Sequence, residues 1–90
     1  MGEVSMFLKI GKGQAAADLH AAEEKLNEAG ELAIDLSEVG RLDPRGVQAL
    51  LELARKADEK AVKVVLHGVN VDVYKVLKLV KLDSRLSVAA

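Results

Sequence analysis

Between Glu31 and Ala57 the chain runs ELAIDLSEVGRLDPRGVQALLELARKA, and this stretch constrains everything on either side of it. Leu32, Ile34 and Leu36 alternate with Ala33 and Asp35, the period of two expected of a buried or half-buried strand. After the turn, Val47, Leu50, Leu51, Ala54 and Ala57 share one helical face, while Gln48, Glu52, Arg55, Lys56 and Glu59 take the other. The junction Leu42-Asp43-Pro44-Arg45-Gly46 specifies a sharp helix start. Asp43 is suited to accept from the otherwise unpaired first-turn amides, and Pro44 falls where a missing N–H costs nothing.

The flanking segments extend the alternation. Val4, Met6, Leu8 and Ile10 predict a first strand, broken by Gly11-Lys12-Gly13. That glycine pair lacks phosphate-loop spacing and reads as a turn. From Gln14 to Ala29 the apolar positions Ala15, Leu19, Ala22, Leu26 and Ala29 predict a helix, with Gly30 as its C-cap. Ala61 to Leu66 predicts a short valine-rich strand closed by His67-Gly68. Asn70 is placed to cap a third helix from Val71 to about Leu82, its buried face formed by Val73, Val76, Leu77 and Val80. Leu86 to Val88 leaves room for a short edge strand. Strands alternating with helices imply right-handed crossovers and a mostly parallel sheet of about four strands, in the order β-α-β-α-β-α with a possible final β. The expectation is one α/β domain over residues 1–90.

Composition excludes several functions. With no cysteine there is no disulfide, thiolate metal site or cysteine nucleophile, and a cytoplasmic setting is expected. A net charge of −1 does not suit a general polyanion binder, and Phe7 and Tyr74 are the only aromatics that could stack on bases, so no nucleic-acid partner is expected. No apolar run is long enough to insert in a membrane. Gly2 would suit myristoylation, but Met6 stands where that motif needs Ser or Thr. His20 and His67 have no ligand-spaced partners in the sequence, so no metal is expected. No nucleophile, base or cofactor loop is evident either, which argues against an enzyme and against a cofactor. The Lys75, Lys78 and Lys81 stripe reads as a solvated helix face.

The segment DLSEVGRLDPRGVQALLELARKA resembles the centre of STAS domains, the family of bacterial anti-sigma factor antagonists. Asp35, Leu36, Ser37, Val39, Asp43, Gly46 and the Leu50/Leu51 pair stand where that pattern has them. The similarity runs from about Leu8 to Val88 and includes the closing GVNVDVYKVLKLVKLDSRLSV. It implies a non-enzymatic module for protein–protein interaction, whose corner and following helix dock onto an anti-sigma factor with a serine-kinase-type ATP-binding fold. Carried over, the partner-binding residues would be Leu42, Asp43, Pro44, Arg45, Gly46 and Gln48. In the family a phosphorylated hydroxyl at the corner switches docking off. Here that position is Pro44, and the chain has no threonine, so no phosphorylation is expected at the corner. The alternative implied by the resemblance is a STAS subunit that binds the ATPase of an ABC phospholipid-transport system. A third reading is a small enzyme or ligand binder that uses the C-terminal edge of the strands. Arg45 puts a cation in the first turn, where the helix dipole opposes it; a partner contact and neutral drift both account for that.

Overall fold

The computed structural model describes residues 5–89. The expected strand position at Val4, and Gly2, lie outside them. The elements run β1 (Ser5–Lys9), α1 (Ala15–Lys25), β2 (Glu31–Asp35), α2 (Pro44–Glu59), β3 (Lys63–His67), α3 (Val71–Leu79) and β4 (Ser87–Val88). The four strands form one sheet in the order β1-β2-β3-β4, with every neighbouring pair parallel. This is the α/β order expected from the sequence, final strand included.

Because each crossover steps one strand in the same direction, right-handedness puts the helices on one side of the sheet. Strand burial agrees with that placement. Leu32, Ile34, Val64 and Leu66 are buried beneath the helices, and Met6 and Leu8 pack against the same core. The opposite row, Phe7–Ala33–Val65, runs in register across the other face, with Phe7 largely exposed. The helical contribution to the core is led by Leu19, Leu50, Leu53 and Leu77, each fully buried. Truncating any of these leucines to alanine removes buried apolar volume at a cost of about 2–5 kcal/mol.

Helix ends depart from the sequence reading in two places. α1 stops at Lys25 rather than continuing to Ala29, and Gly30 does not cap it. Leu26, Asn27 and Glu28 instead donate backwards over three residues to Glu23, Glu24 and Lys25, tightening the last turn while Ala29 stays buried. α3 likewise ends at Leu79, where Leu82 N–H reaches the Leu77 carbonyl at 2.8 Å and Lys81 takes a left-handed φ of 61°. α2 closes the same way. Val62 N–H bonds to Ala57 O at 2.9 Å, and Ala61 sits at φ 56°. On α2 the buried stripe also includes Ala49 and Leu53, whereas Val47 and Leu51 flank it half-buried.

Candidate functional site

The corner between β2 and α2 is built in two steps. Leu36 N–H donates to His67 O at 2.8 Å, and Asp35 Oδ1 accepts from Ser37 N–H at 2.8 Å, so the chain leaves the sheet in a defined turn. That amide, with a smaller contribution from the Ser37 hydroxyl, holds the half-buried Asp35 carboxyl below its ordinary range against a weaker desolvation effect; Lys9 and His67 add to the lowering. Val39 and Leu42 are then buried as anchors on either side of exposed Gly40 and Arg41. Lys9 pairs with Glu38 across the loop at 2.9 Å, which raises the lysine's pKa above its ordinary value.

The start of α2 is as the sequence implies. Asp43 Oδ1 accepts from Gly46 N–H at 2.8 Å, and Pro44 is the first helical residue. Gly46 sits at a close approach. A Cβ there would lie 3.0 Å from Leu42 Cδ2, 3.3 Å from Asp43 Oδ1 and 3.6 Å from Ala15 Cβ, so α2 begins in contact with the start of α1.

Of the six residues expected to form the docking patch, four reach the surface: Asp43, Pro44, Arg45 and Gln48 are exposed. Leu42 and Gly46 are corrected to structural roles. Leu42 is only 6% exposed and belongs to the core, and Gly46 is buried against it. Both hold the corner up without presenting a surface of their own. Arg45 lines two concavities that flank the corner. One, of about 430 Å³, is also lined by Lys12, Gly13, Arg41 and Asp43. The other, of about 460 Å³, adds Pro44, Gln48, Ala16 and His20. Lys12, Ala16, His20 and Arg41 were not singled out from the sequence for this surface. The parallel crossover that seats the N-termini of α1 and α2 side by side is the signal that could have found them.

Across the α1–α2 seam, Lys56 Nζ lies 2.6 Å from Glu23 Oε1, and His20 Nδ1 lies 3.3 Å from Glu23 Oε2 and 3.8 Å from Glu52 Oε2. Burial alone would push the Glu23 carboxyl up, but hydrogen bonding and attraction from Lys56 and then His20 outweigh it and hold the carboxyl below its ordinary value. The expectation that His20 has no converging partners is therefore corrected. His20, Glu23 and Glu52 could offer ligand atoms within 4.8 Å of one another. Lys56 already occupies Glu23, so ion pairing accounts for the cluster. No helix among the described residues is long and apolar enough to cross a membrane.

The family model described as "Mlab, STAS domain" matches residues 12–88. Among solved structures, the STAS domain of a SulP transporter from Vibrio cholerae aligns with a TM-score of 0.77 and 21% identity, covering 97% of this chain and 70% of that one. A Thermotoga maritima protein described as an anti-sigma factor antagonist aligns in its crystal structure with a TM-score of 0.71 and 18% identity, over 90% of this chain and 71% of that one. Its solution structure gives 0.74 and 17%, over 92% and 71%. At such identities the likeness speaks for the fold alone. No curated protein sequence matches significantly.

Proposed function

The chain belongs to the STAS domain family, and from that premise we propose that it is a non-enzymatic binding module of the anti-sigma factor antagonist kind. Its docking surface is the corner Asp43-Pro44-Arg45 with Gln48, and its partner is an anti-sigma protein with a kinase-type ATP-binding fold. The observation that carries this reading is the contrast within the corner. Leu42 and Gly46 are sunk into the core, so that Asp43, Pro44 and Arg45 stand exposed between two open concavities. Arg45 is in no ion pair among the described residues and opposes the dipole of its own helix, so an acidic group on a partner would satisfy it.

Pro44 has no hydroxyl, so docking here proceeds without a phosphoserine switch at the corner. The same residue supports a second reading, in which the partner is the ATPase of an ABC phospholipid-transport system and no such switch is needed. The occurrence of a STAS domain in a SulP transporter among the structural neighbours supports a transport setting for this fold.

A photo-crosslinking residue at position 48, used in the source cell, tests both readings. Capture of a kinase-type ATP-binding protein supports the first, and capture of an ABC ATPase supports the second. Cross-links that form only from a position on the opposite sheet face, such as Phe7, would reject the corner as the docking surface. Incubation of the complex with ATP should leave residues 42–48 free of phosphate. Phosphate on Ser37 that blocks binding would overturn the switch-free reading.

A further inference from the structure

Three of the four large hydrophobic side chains that stand exposed among the described residues lie on α3: Val71 at 69%, Tyr74 at 40% and Leu79 at 81%. The helix is only nine residues long, and its buried residues are Val73 and Leu77. Packing against the sheet therefore leaves part of its apolar surface uncovered. Val71, Lys75 and Leu79 follow one another at four-residue steps and form one ridge. Tyr74 and Lys78 form the ridge beside it, with Lys78 Nζ 5.8 Å from the Tyr74 ring centroid, and Lys81 ends the turn.

None of Lys75, Lys78 and Lys81 is in an ion pair among the described residues, whereas Arg55 and Lys56 on α2 are paired with Glu59 and Glu23. Asp72 is the only acid on the helix. The exposed face of α3 is thus basic and apolar at once.

We propose that this face of α3 is a shallow docking surface for an anionic lipid bilayer. Leu79 and Val71 enter the boundary between headgroups and acyl chains. Lys75, Lys78 and Lys81 lay their stems along that boundary and hold their ammonium groups at the lipid phosphates. Tyr74 sits at the depth where an aromatic ring with a polar tip is favoured. A protein partner fits less well, because lysine is depleted from the cores of protein interfaces while it is the residue that interfacial helices use. Because one short helix supplies the contact, attachment through it is weak and reversible. It is independent of the corner, and a failure of one reading leaves the other standing.

Co-sedimentation of the full chain with vesicles tests the proposal. Vesicles of equal parts phosphatidylglycerol and phosphatidylcholine should retain the protein, and pure phosphatidylcholine should not. Raised salt should release it. Lys75→Gln and Lys78→Gln should each weaken binding about fivefold, the equivalent of about 1 kcal/mol per basic residue near a charged membrane. Leu79→Gln should weaken it without changing the salt dependence. All three side chains are exposed, and unchanged thermal melts would show that the variants fold. Equal binding to both vesicle types, no binding to either, or full binding by the variants would overturn the proposal. Retention on an acidic protein without vesicle binding would assign the face to a protein partner, and would overturn it too.

Discussion

Asn70 Nδ2 donates to the carbonyl of Val39 at 3.1 Å, although the two residues are 31 positions apart in the chain. The same amide reaches Gly40 O at 3.1 Å, while Asn70 Oδ1 accepts from Val73 N–H at 2.8 Å. One side chain thus starts α3 and fastens the loop that leads into the corner. Asn70→Ala should lower stability by about 0.5–2 kcal/mol, the range for a lost helix cap. Asn70→Asp keeps the cap but turns a carboxylate toward two carbonyls. It should speed hydrogen exchange at the Val39 amide while α3 persists, and unchanged exchange there would separate the loop from the cap.

Ala61 takes a left-handed φ of 56° at the end of α2, a conformation that costs a residue with a Cβ about 1–2 kcal/mol and glycine almost nothing. Ala61→Gly should therefore stabilise the protein by about 1 kcal/mol, after the entropy that glycine adds to the unfolded chain is subtracted. The check is a higher urea midpoint with an unchanged slope.

Gly68 is the opposite case. Its φ is 68°, and a Cβ would fall 2.8 Å from Ser37 Cβ and 2.9 Å from both Ser37 Cα and Asp35 Oδ1. Backbone cannot swing aside as a side-chain tip can. Gly68→Ala should cost about 2–4 kcal/mol from the strain and the overlap together, read as a fall in the urea midpoint.

The Glu23–Lys56 pair gives stability a pH dependence of known sign. Glu23 has its folded pKa below the unfolded value, so its contribution is complete above the usual glutamate pKa and disappears as pH falls through the lowered one. The melting temperature should drop on acidification below about pH 4.5, and Glu23→Gln should flatten that limb while lowering stability at neutral pH. An acid limb identical in the two proteins would mean the pair adds nothing.

Arg45 is where folding and binding should separate. Arg45→Glu removes a cation from the first turn of α2 and puts an anion there, which should leave stability unchanged or improve it by up to about 1 kcal/mol. Affinity for the captured partner should fall, and by more at low salt than at high salt. Equal affinity in titration calorimetry would reduce the corner to architecture.

The element order, the caps at Asp43 and Asn70 and the short closing strand were legible because their causes are local. A period of two or of about 3.6, a side chain three residues from an unpaired amide, and a proline at a first turn all act within a few residues. What lay beyond reach depended on which faces meet. Nothing near Leu42 in the chain says that it turns inward while Arg45 turns outward; the sheet and α1 decide that, through the close contact at Gly46. The gathering of Lys12 and Arg41 around Arg45, and of His20, Glu23, Glu52 and Lys56 at one seam, arises only when parallel crossovers lay α1 beside α2. Leu79 makes the same point from the other side. A helix laid on one side of a sheet buries only the stripe that faces it, here Val73 and Leu77. Whether another element covers the far side is decided by the tertiary arrangement, and among the described residues none does, which leaves Leu79 in the open.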